Sequence, residues 1–286
     1  MSCPKAYELE RIKKYPQHPA WWFIGGTLVH EATETFDGTF LETGQFVSLA
    51  SDELTNRLDT LVQEEKDRTG TDPHSWFAAG QRTKVDPDTG EEIKTAGQGY
   101  DWWKEHGPEI YRRYVTWRTE TQWPIAHFGG RPAIELSVQF PLAGMEMRGA
   151  PDRVFKYPSG DLVVADIKTG ATIPKDPLQL GVYATALESL GYERPRWGTY
   201  ILLKDGTVTP PVPLEKYDAR YLGTIFGQTA DNIARESFPP NVGDGCRQCL
   251  VQHACYATGG SLSHEYDPLD PNYQGAVNGA QEGHAG

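Results

Sequence analysis

The stretch Gly149-Ala150-Pro151-Asp152-Arg153-Val154-Phe155 is followed a few residues later by Leu162-Val163-Val164-Ala165-Asp166-Ile167-Lys168. Both runs are apolar and β-branched, and Pro158-Ser159-Gly160-Asp161 between them is typical of a turn, so the segment predicts a β-hairpin. Asp152 opens the first strand, and the hairpin folds it back beside Asp166 near the end of the second. Because side chains alternate along a strand, Asp166 and Lys168 share one face and Ile167 points away.

Two carboxylates and a lysine thus converge on an apolar hairpin, where buried charges are costly unless a cation joins them. Hard oxygen ligands of this kind favour Mg²⁺ or Mn²⁺, which also bind substrate phosphate. Lys168 is suited to orienting or deprotonating an attacking water and to offsetting charge on a phosphate. The alternative is an ordinary ion pair at a strand end. The apolar strands and the convergence of the charges favour a catalytic site.

The composition indicates a globular chain, and its 286 residues favour one large domain, or a domain with insertions, over two independent domains. Without an apolar run of membrane-spanning length or a signal peptide, it predicts a cytoplasmic protein with no membrane contact. A net charge of −12 argues weakly against a nucleic-acid partner. That objection is limited, because an acidic metal site adds negative charge that bound cations cancel.

Periodicity predicts an α/β fold, in which a small mixed β-sheet with the hairpin at its centre is flanked by helices, with a helical insertion at about 40–125. Helices are expected over 4–15, from near Thr27, and over 51–68, 101–120, 176–190 and 218–236, with strands over 132–140, 196–204 and 207–212. Residues 69–99 are expected to form an exposed loop or hairpin. The polar, Gly-rich segment 259–286 predicts a disordered tail.

Three features leave alternatives open at this level. His30 lies among apolar neighbours, where a core histidine is the more common role than a metal ligand. Glu135 lies on a predicted strand whose buried side the sequence does not fix. The aromatic residues of 101–120, together with Arg112, Arg113 and Arg118, suit either stacking on unpaired bases or, as is favoured, helix packing.

The four cysteines are Cys3, Cys246, Cys249 and Cys255, and the last three lie within ten residues. Clustered thiols in a cytoplasmic chain indicate a metal rather than disulfides. Zinc, with Cys3 or His253 as the fourth ligand, and an iron–sulfur cluster with four thiolates fit the spacing about equally. Either site would be structural and would join the N- and C-terminal segments.

These motifs together resemble the PD-(D/E)XK nuclease superfamily. Pro151-Asp152 with Asp166-Ile167-Lys168 carries the resemblance, and Gln179-Leu180-Gly181-Val182-Tyr183 looks like the Q-x-x-x-Y motif of its RecB-like branch. The segment Gly26 to Glu31, which includes His30, looks like that branch's histidine motif. The cysteine pattern is similar to that of its iron–sulfur nucleases, such as the AddB nuclease domain and the CRISPR spacer-acquisition exonucleases.

The resemblance implies a restriction-endonuclease-like core within a nuclease domain of residues 1–258. It implies that His30, Asp152, Asp166 and the Ile167 carbonyl bind the Mg²⁺ or Mn²⁺ ion and that Lys168 is the catalytic lysine. Gln179 and Tyr183 would support the site or contact DNA phosphate. The four cysteines (3, 246, 249 and 255) would hold a [4Fe–4S] cluster that clasps the ends of the domain, with zinc as the alternative.

The function expected on these grounds is a metal-dependent DNA exonuclease that acts on DNA ends or single strands in recombination, repair or DNA processing. Two alternatives are a structure- or site-specific DNA endonuclease and a non-catalytic DNA-binding accessory protein of recombination. DNA is the expected partner, preferably single-stranded or with free ends. Self-association and binding to a recombination protein are hypotheses for further partners.

Overall fold

The computed structural model describes residues 3–80, 83–85, 89, 92–94, 97–170 and 172–273. Its α-helices are α1 (Pro4–Tyr7), α2 (Trp21–Thr43), α3 (Ser51–Thr69), α4 (Tyr100–Thr121), α5 (Leu178–Ser189), α6 (Ala219–Ala234) and α7 (Ser263–Tyr266). Its strands are β1 (Thr83–Val85), β2 (Glu92–Lys94), β3 (His127–Phe128), β4 (Arg131–Pro132), β5 (Val138–Leu142), β6 (Met145–Gly149), β7 (Arg153–Lys156), β8 (Leu162–Lys168), β9 (Trp197–Leu202), β10 (Thr207–Val208) and β11 (Val212–Pro213).

The chain forms two compact units. We call the first the terminal unit; it comprises Met1–Ala20, Thr69–Phe77 and Asp231–Gly286. The second, the sheet unit, comprises Trp21–Arg68 and Ala78–Ala230. The terminal unit therefore contains all four cysteines, and the sheet unit contains the predicted carboxylate site.

The predicted hairpin is the centre of the sheet unit. Strands β7 and β8 pair antiparallel, with Arg153 opposite Ala165, and β8 pairs parallel with β9, with Asp166 beside Tyr200. Strands β10 and β11 both pair antiparallel with β9, so the sheet is mixed, as predicted. Residues 162–167 of β8 are all buried, which fits the nearly continuous apolar run expected of a strand covered on both faces.

The single strand predicted over 132–140 is wrong, because the backbone breaks at Glu135. Its φ of 43° lies in the left-handed region, which interrupts a strand and separates β4 from β5. The Glu135 N–H donates instead to the carbonyl of Asp152 at 3.0 Å. Strand β5 then pairs with β6, so Gly149 belongs to the preceding hairpin rather than to β7.

Helix α2 begins at Trp21, earlier than the predicted entry near Thr27, and the glycine pair lies inside it. A Cβ at Gly25 would come within 2.1 Å of the indole of Trp103 on α4. Glycine therefore lets the two helices approach closely at this point, a packing gain that outweighs its poor helix propensity.

A buried charge network joins α2, α4 and β7. The carboxylate of Asp37 accepts from Arg118 and from Arg153, each at 2.8 Å, and also from the hydroxyl of Tyr114. None of these four side chains is more than 1% exposed. Trp103, Tyr111 and Tyr114 of α4 are buried, in line with the packing interpretation favoured from the sequence, and Arg118 belongs to the core.

In the terminal unit, the two ends of the chain share one apolar cluster. Helix α1 continues as a π-helical turn over Glu8–Ile12, and the cluster consists of Ala6, Leu9, Tyr15, Val251, Ala254 and Cys255. The N–H of His18 also donates to the carbonyl of Leu250 at 2.8 Å. Apolar side chains and this hydrogen bond thus pack the N- and C-terminal segments together.

The prediction of a disordered tail from residue 259 fails for residues 259–273. Asp267 is fully buried and accepts from Lys5 at 3.2 Å and from the Tyr256 N–H at 2.8 Å, while Ser263 donates to Asp270 at 2.6 Å. The segment is held by buried polar groups, which a count of large aliphatic residues overlooks. The rest of the predicted tail, 274–286, lies outside the described residues. No helix that the structure describes is long and apolar enough to cross a membrane.

Candidate metal centre

The hairpin of β7 and β8 positions the carboxylates of Asp152 and Asp166. The side chain of Asp152 crosses to the neighbouring strand, where its Oδ2 accepts from the backbone N–H of Ile167 at 2.6 Å. Asp152 is 9% exposed and Asp166 is 2% exposed, so both carboxylates lie in a largely dry environment. Nζ of Lys168 lies 2.7 Å from Oδ2 of Asp166, which confirms that positions 166 and 168 share a face.

Helix α2 brings His30 to the same place. Its Nε2 lies 3.1 Å from the carbonyl oxygen of Ile167, and its Nδ1 lies 3.4 Å from Oε1 of Glu135 and 3.8 Å from Oδ2 of Asp152. Both ring nitrogens therefore face acceptor oxygens. The imidazole is not a plain core residue, in contrast to the interpretation favoured by its apolar neighbours.

Glu135 is a member of the centre that no sequence motif identified. Among the described residues, His30, Glu135 and Asp152 are the only group whose histidine, cysteine or carboxylate ligand atoms all lie within 4.8 Å of one another. The left-handed backbone at Glu135 sets its direction, and alternation along a continuous strand could not have revealed it. The signal available in the sequence was a lone glutamate just upstream of the hairpin.

The centre carries more negative than positive charge, and the pKa values of its groups reflect this excess. Burial, with the charges of Asp166 and Glu135, raises the pKa of Asp152 to about 6, against the opposing effect of His30. Burial also raises the pKa of Asp166, although Lys168 opposes it. Burial lowers the pKa of His30, but its hydrogen bond to Glu135 and the nearby carboxylates more than offset this and raise it. A divalent cation bound here would offset the negative charge of the carboxylates, which protons otherwise neutralise.

The donor set fits Mg²⁺ or Mn²⁺, because it consists of carboxylate oxygens, a carbonyl and one imidazole. Of the predicted ligands, the structure brings together His30, Asp152 and the Ile167 carbonyl. Asp166 lies outside the three-residue group and is paired with Lys168.

Helix α5 carries Gln179 and Tyr183, which are joined by a hydrogen bond of 3.1 Å from the amide to the phenol oxygen. The ring of Tyr183 packs so closely on Gly149 that a Cβ there would lie 2.9 Å from it. Burial raises the pKa of Tyr183, and the charges of Asp152 and Asp166 raise it further, so the phenol stays a hydrogen-bond donor. The predicted pair is therefore preorganised near the carboxylates.

The four cysteines are all free, and all four line one cavity of about 440 Å³ in the terminal unit. Burial raises the pKa of Cys249 and of Cys255, which keeps them as thiols in the absence of a cation. Within the part of the chain that the structure describes, no three of these sulfurs lie within 4.8 Å of one another. The predicted iron–sulfur clasp is therefore not shown, and His253 is not among the residues lining the cavity.

The profile of the PD-(D/E)XK nuclease superfamily matches residues 1–256. Two curated relatives are called Gene 69 protein: that of Mycobacterium phage D29 is 30% identical over 278 residues, covering 88% of this chain and 91% of the relative. That of Mycobacterium phage L5 is 29% identical over 280 residues, with 88% and 91% covered. A crystal structure of SSO0001 matches 52% of this chain and 68% of that one at 14% identity and a TM-score of 0.31, too low to carry a conclusion.

Proposed function

Because the chain belongs to the PD-(D/E)XK nuclease superfamily, we propose that it is a metal-dependent DNA exonuclease that hydrolyses phosphodiester bonds at ends or in single strands. The observation that carries the proposal is the convergence of His30, Glu135 and Asp152 beside the Asp166–Lys168 pair. Structural ion pairs seldom gather two carboxylates and a histidine around one partly buried point, with a third carboxylate beside them, because the mutual repulsion of the carboxylates destabilises the fold.

In this proposal His30, Glu135, Asp152, Asp166 and the Ile167 carbonyl hold the metal. A bound Mg²⁺ or Mn²⁺ would supply Lewis-acid polarisation of the phosphate and charge stabilisation of the leaving oxygen. With Asp166 as a metal ligand, the ammonium group of Lys168, now 2.7 Å from Oδ2 of Asp166, would be available to offset charge on the scissile phosphate or to position the attacking water.

The second carboxylate, Asp152, is fixed by the Ile167 N–H at 2.6 Å, so the chain itself sets the direction of one ligand. Gln179 and Tyr183, joined to each other, present a donor amide and a phenol on the α5 side. Both groups suit contact with phosphate oxygens next to the scissile bond. A role in recombination, repair or DNA processing accords with such an activity.

Closed circular DNA distinguishes an exonuclease from an endonuclease, because a closed circle has no end on which an exonuclease can act. We expect the protein with Mg²⁺ or Mn²⁺ to degrade a linearised DNA and a linear single strand and to leave the closed circle intact. Cutting of the closed circle would replace the exonuclease assignment with an endonuclease. Asp166→Ala should abolish cleavage, whereas Asp161→Ala, in the turn of the same hairpin, should not. Binding of DNA without any cleavage would instead favour an accessory protein of recombination.

We further propose that the four cysteines hold a [4Fe–4S] cluster rather than zinc. Four sulfurs around a single zinc ion lie about 3.8 Å apart, given a Zn–S distance of about 2.3 Å. The thiols here are spread around a cavity of about 440 Å³, which suits a larger cluster. Iron and sulfide analysis with the visible spectrum after anaerobic purification tests this, and stoichiometric zinc without iron would refute it.

A further inference from the structure

The outward face of α2 forms a wall that runs away from the metal centre. Phe23, Thr27, His30 and Glu34 follow one another at intervals of four, three and four residues, so they share one helix face. Phe23 is 53% exposed, although the inward residues of the same helix are buried. These four residues line a groove of about 460 Å³ together with Trp22, Gly26, Glu31 and Glu135, and the ring of Trp22 lies 5.9 Å from that of Phe23. Phe23 is therefore an exposed aromatic ring in the same groove as two groups of the metal centre.

The charge of this groove decides which part of a nucleic acid it suits. Its described lining contains no lysine or arginine and includes the carboxylates of Glu31, Glu34 and Glu135. Glu31 is paired with Arg57, whose Nε and Nη2 lie 2.7 and 2.8 Å from its oxygens, and Glu135 lies 3.8 Å from Nη1 of Arg153 and 3.4 Å from Nδ1 of His30. A row of phosphates along this wall would therefore meet carboxylates and no lysine or arginine of the described lining. The uncharged face of a base, in contrast, is attracted by an aromatic ring.

The distance along the helix fits the same conclusion. Phe23 precedes His30 by seven residues, which corresponds to about 10 Å along the axis. That is the length of two to three stacked nucleotides at about 3.4 Å each. Gly26 lies between them without a side chain, and a Cβ there would meet only Thr169 Oγ1, at 3.9 Å. Thr27 also lies between them, so only small residues separate the ring from the centre.

We propose that Phe23 stacks on an unpaired base two to three nucleotides from the scissile phosphate and so makes single-stranded DNA the preferred substrate. The inference rests on the proposed nuclease function. A paired base inside a duplex has both faces covered by its neighbours, so the ring can engage only a base that leaves the stack. Phe23 is a specificity residue here, and the metal ligands do not depend on it.

A double-mutant cycle between the protein and the DNA tests the proposal. All proteins carry Lys168→Ala to prevent cleavage, and binding of a labelled single strand is measured with Mg²⁺ present. Phe23→Ala should weaken binding of the intact strand by about tenfold, within a range of roughly 5- to 150-fold for loss of one stacked base. An abasic site scanned along the strand should cause the same loss at one position, where Phe23→Ala then adds nothing. Phe23→Trp should retain the affinity.

Val47→Ala is the matched control, because Val47 is 51% exposed in the same unit and lies outside the groove. Val47→Ala should leave binding of the intact strand and of the abasic strands unchanged. The proposal is overturned if Phe23→Ala binds the intact strand as tightly as its parent. A loss of the same size on every abasic strand, or a parent that does not bind single strands, also overturns it.

Failure of the nuclease function is a separate result. Protein with Lys168 intact is assayed for cleavage of the same strand with Mg²⁺. Coupling in the binding cycle without cleavage would keep the base-stacking site and remove the nuclease proposal. Cleavage without coupling would do the reverse.

Discussion

The ionised side chain of Asp152 destabilises the folded, metal-free protein, and we expect Asp152→Asn to remove this destabilisation. Burial and the neighbouring carboxylates raise its pKa from 3.8 to about 6. A tenfold change in proton affinity corresponds to about 1.4 kcal/mol, so the ionised carboxylate destabilises the metal-free fold by about 3 kcal/mol. Asp152→Asn keeps the size of the side chain and an oxygen for the Ile167 N–H. It removes the charge that this environment disfavours.

The sign follows from proton binding. Below pH 3.8 the group is protonated in both the folded and unfolded states, and it costs nothing. As the pH rises from 3.8 towards 6, the folded state holds a proton that the unfolded state has released, so stability falls; above 6 the full cost is present. The variant lacks this loss. Its loss of attraction to His30 reduces the gain, and we expect a net increase of about 1–3 kcal/mol near neutral pH.

Urea denaturation of the metal-free proteins measures this difference at neutral pH and again near pH 3, below both pKa values, where it should vanish. Asp161→Asn, in the turn of the same hairpin, is the control and should show no comparable gain. Added Mg²⁺ should stabilise the wild-type protein and not Asp152→Asn, since only the former gains a ligand of the folded state. A destabilised Asp152→Asn, or a gain that persists unchanged at low pH, would refute the reasoning.

Three further substitutions test the surroundings of the centre. Asp37→Asn should destabilise the fold by about 3–5 kcal/mol because it removes the carboxylate that pairs with two buried arginines. Glu64→Gln, in an exposed pair, should cost less than about 1 kcal/mol, and equal urea midpoints for the two variants would contradict this. Glu135→Gln should lower Mn²⁺ affinity by about tenfold or more, as followed by electron paramagnetic resonance, and an unchanged affinity would exclude Glu135 from the centre. Gly25→Ala should lower the melting temperature, because overpacking against Trp103 destabilises the fold by about 1–3 kcal/mol. Gly38→Ala should not, since a Cβ at Gly38 has nothing within 4 Å. A stabilised Gly25→Ala would show that the helices can separate.

Local pattern was sufficient for the hairpin and for the pairing of Asp166 with Lys168. Alternation along β8 sets both, and the turn at 158–161 brings Asp152 back beside them. The mixed character of the sheet also follows from the order of strands and helices, because the connection from β8 to β9 passes through α5. These features depend on neighbours in sequence.

What the sequence did not reveal depends on contacts between distant segments. Glu135 enters the centre only because its backbone leaves the strand conformation. The sequence does not identify the partner of Arg118, which is buried against Asp37, 81 residues away. His30 was assigned by resemblance alone, and the structure adds its contacts to Ile167 and Glu135. Residues 259–273 looked disordered because their burial rests on Asp267 and its hydrogen bonds rather than on aliphatic side chains.

The most direct test of the central claim is the rate at which the protein cleaves an end-labelled single strand in the presence of Mg²⁺. Lys168→Ala is compared with Lys156→Ala, an exposed lysine on the partner strand of the same hairpin. We expect a loss of at least about 100-fold for Lys168→Ala, typical of removing a group that acts on the reacting atoms, and no loss for Lys156→Ala. Equal cleavage by both variants would contradict it.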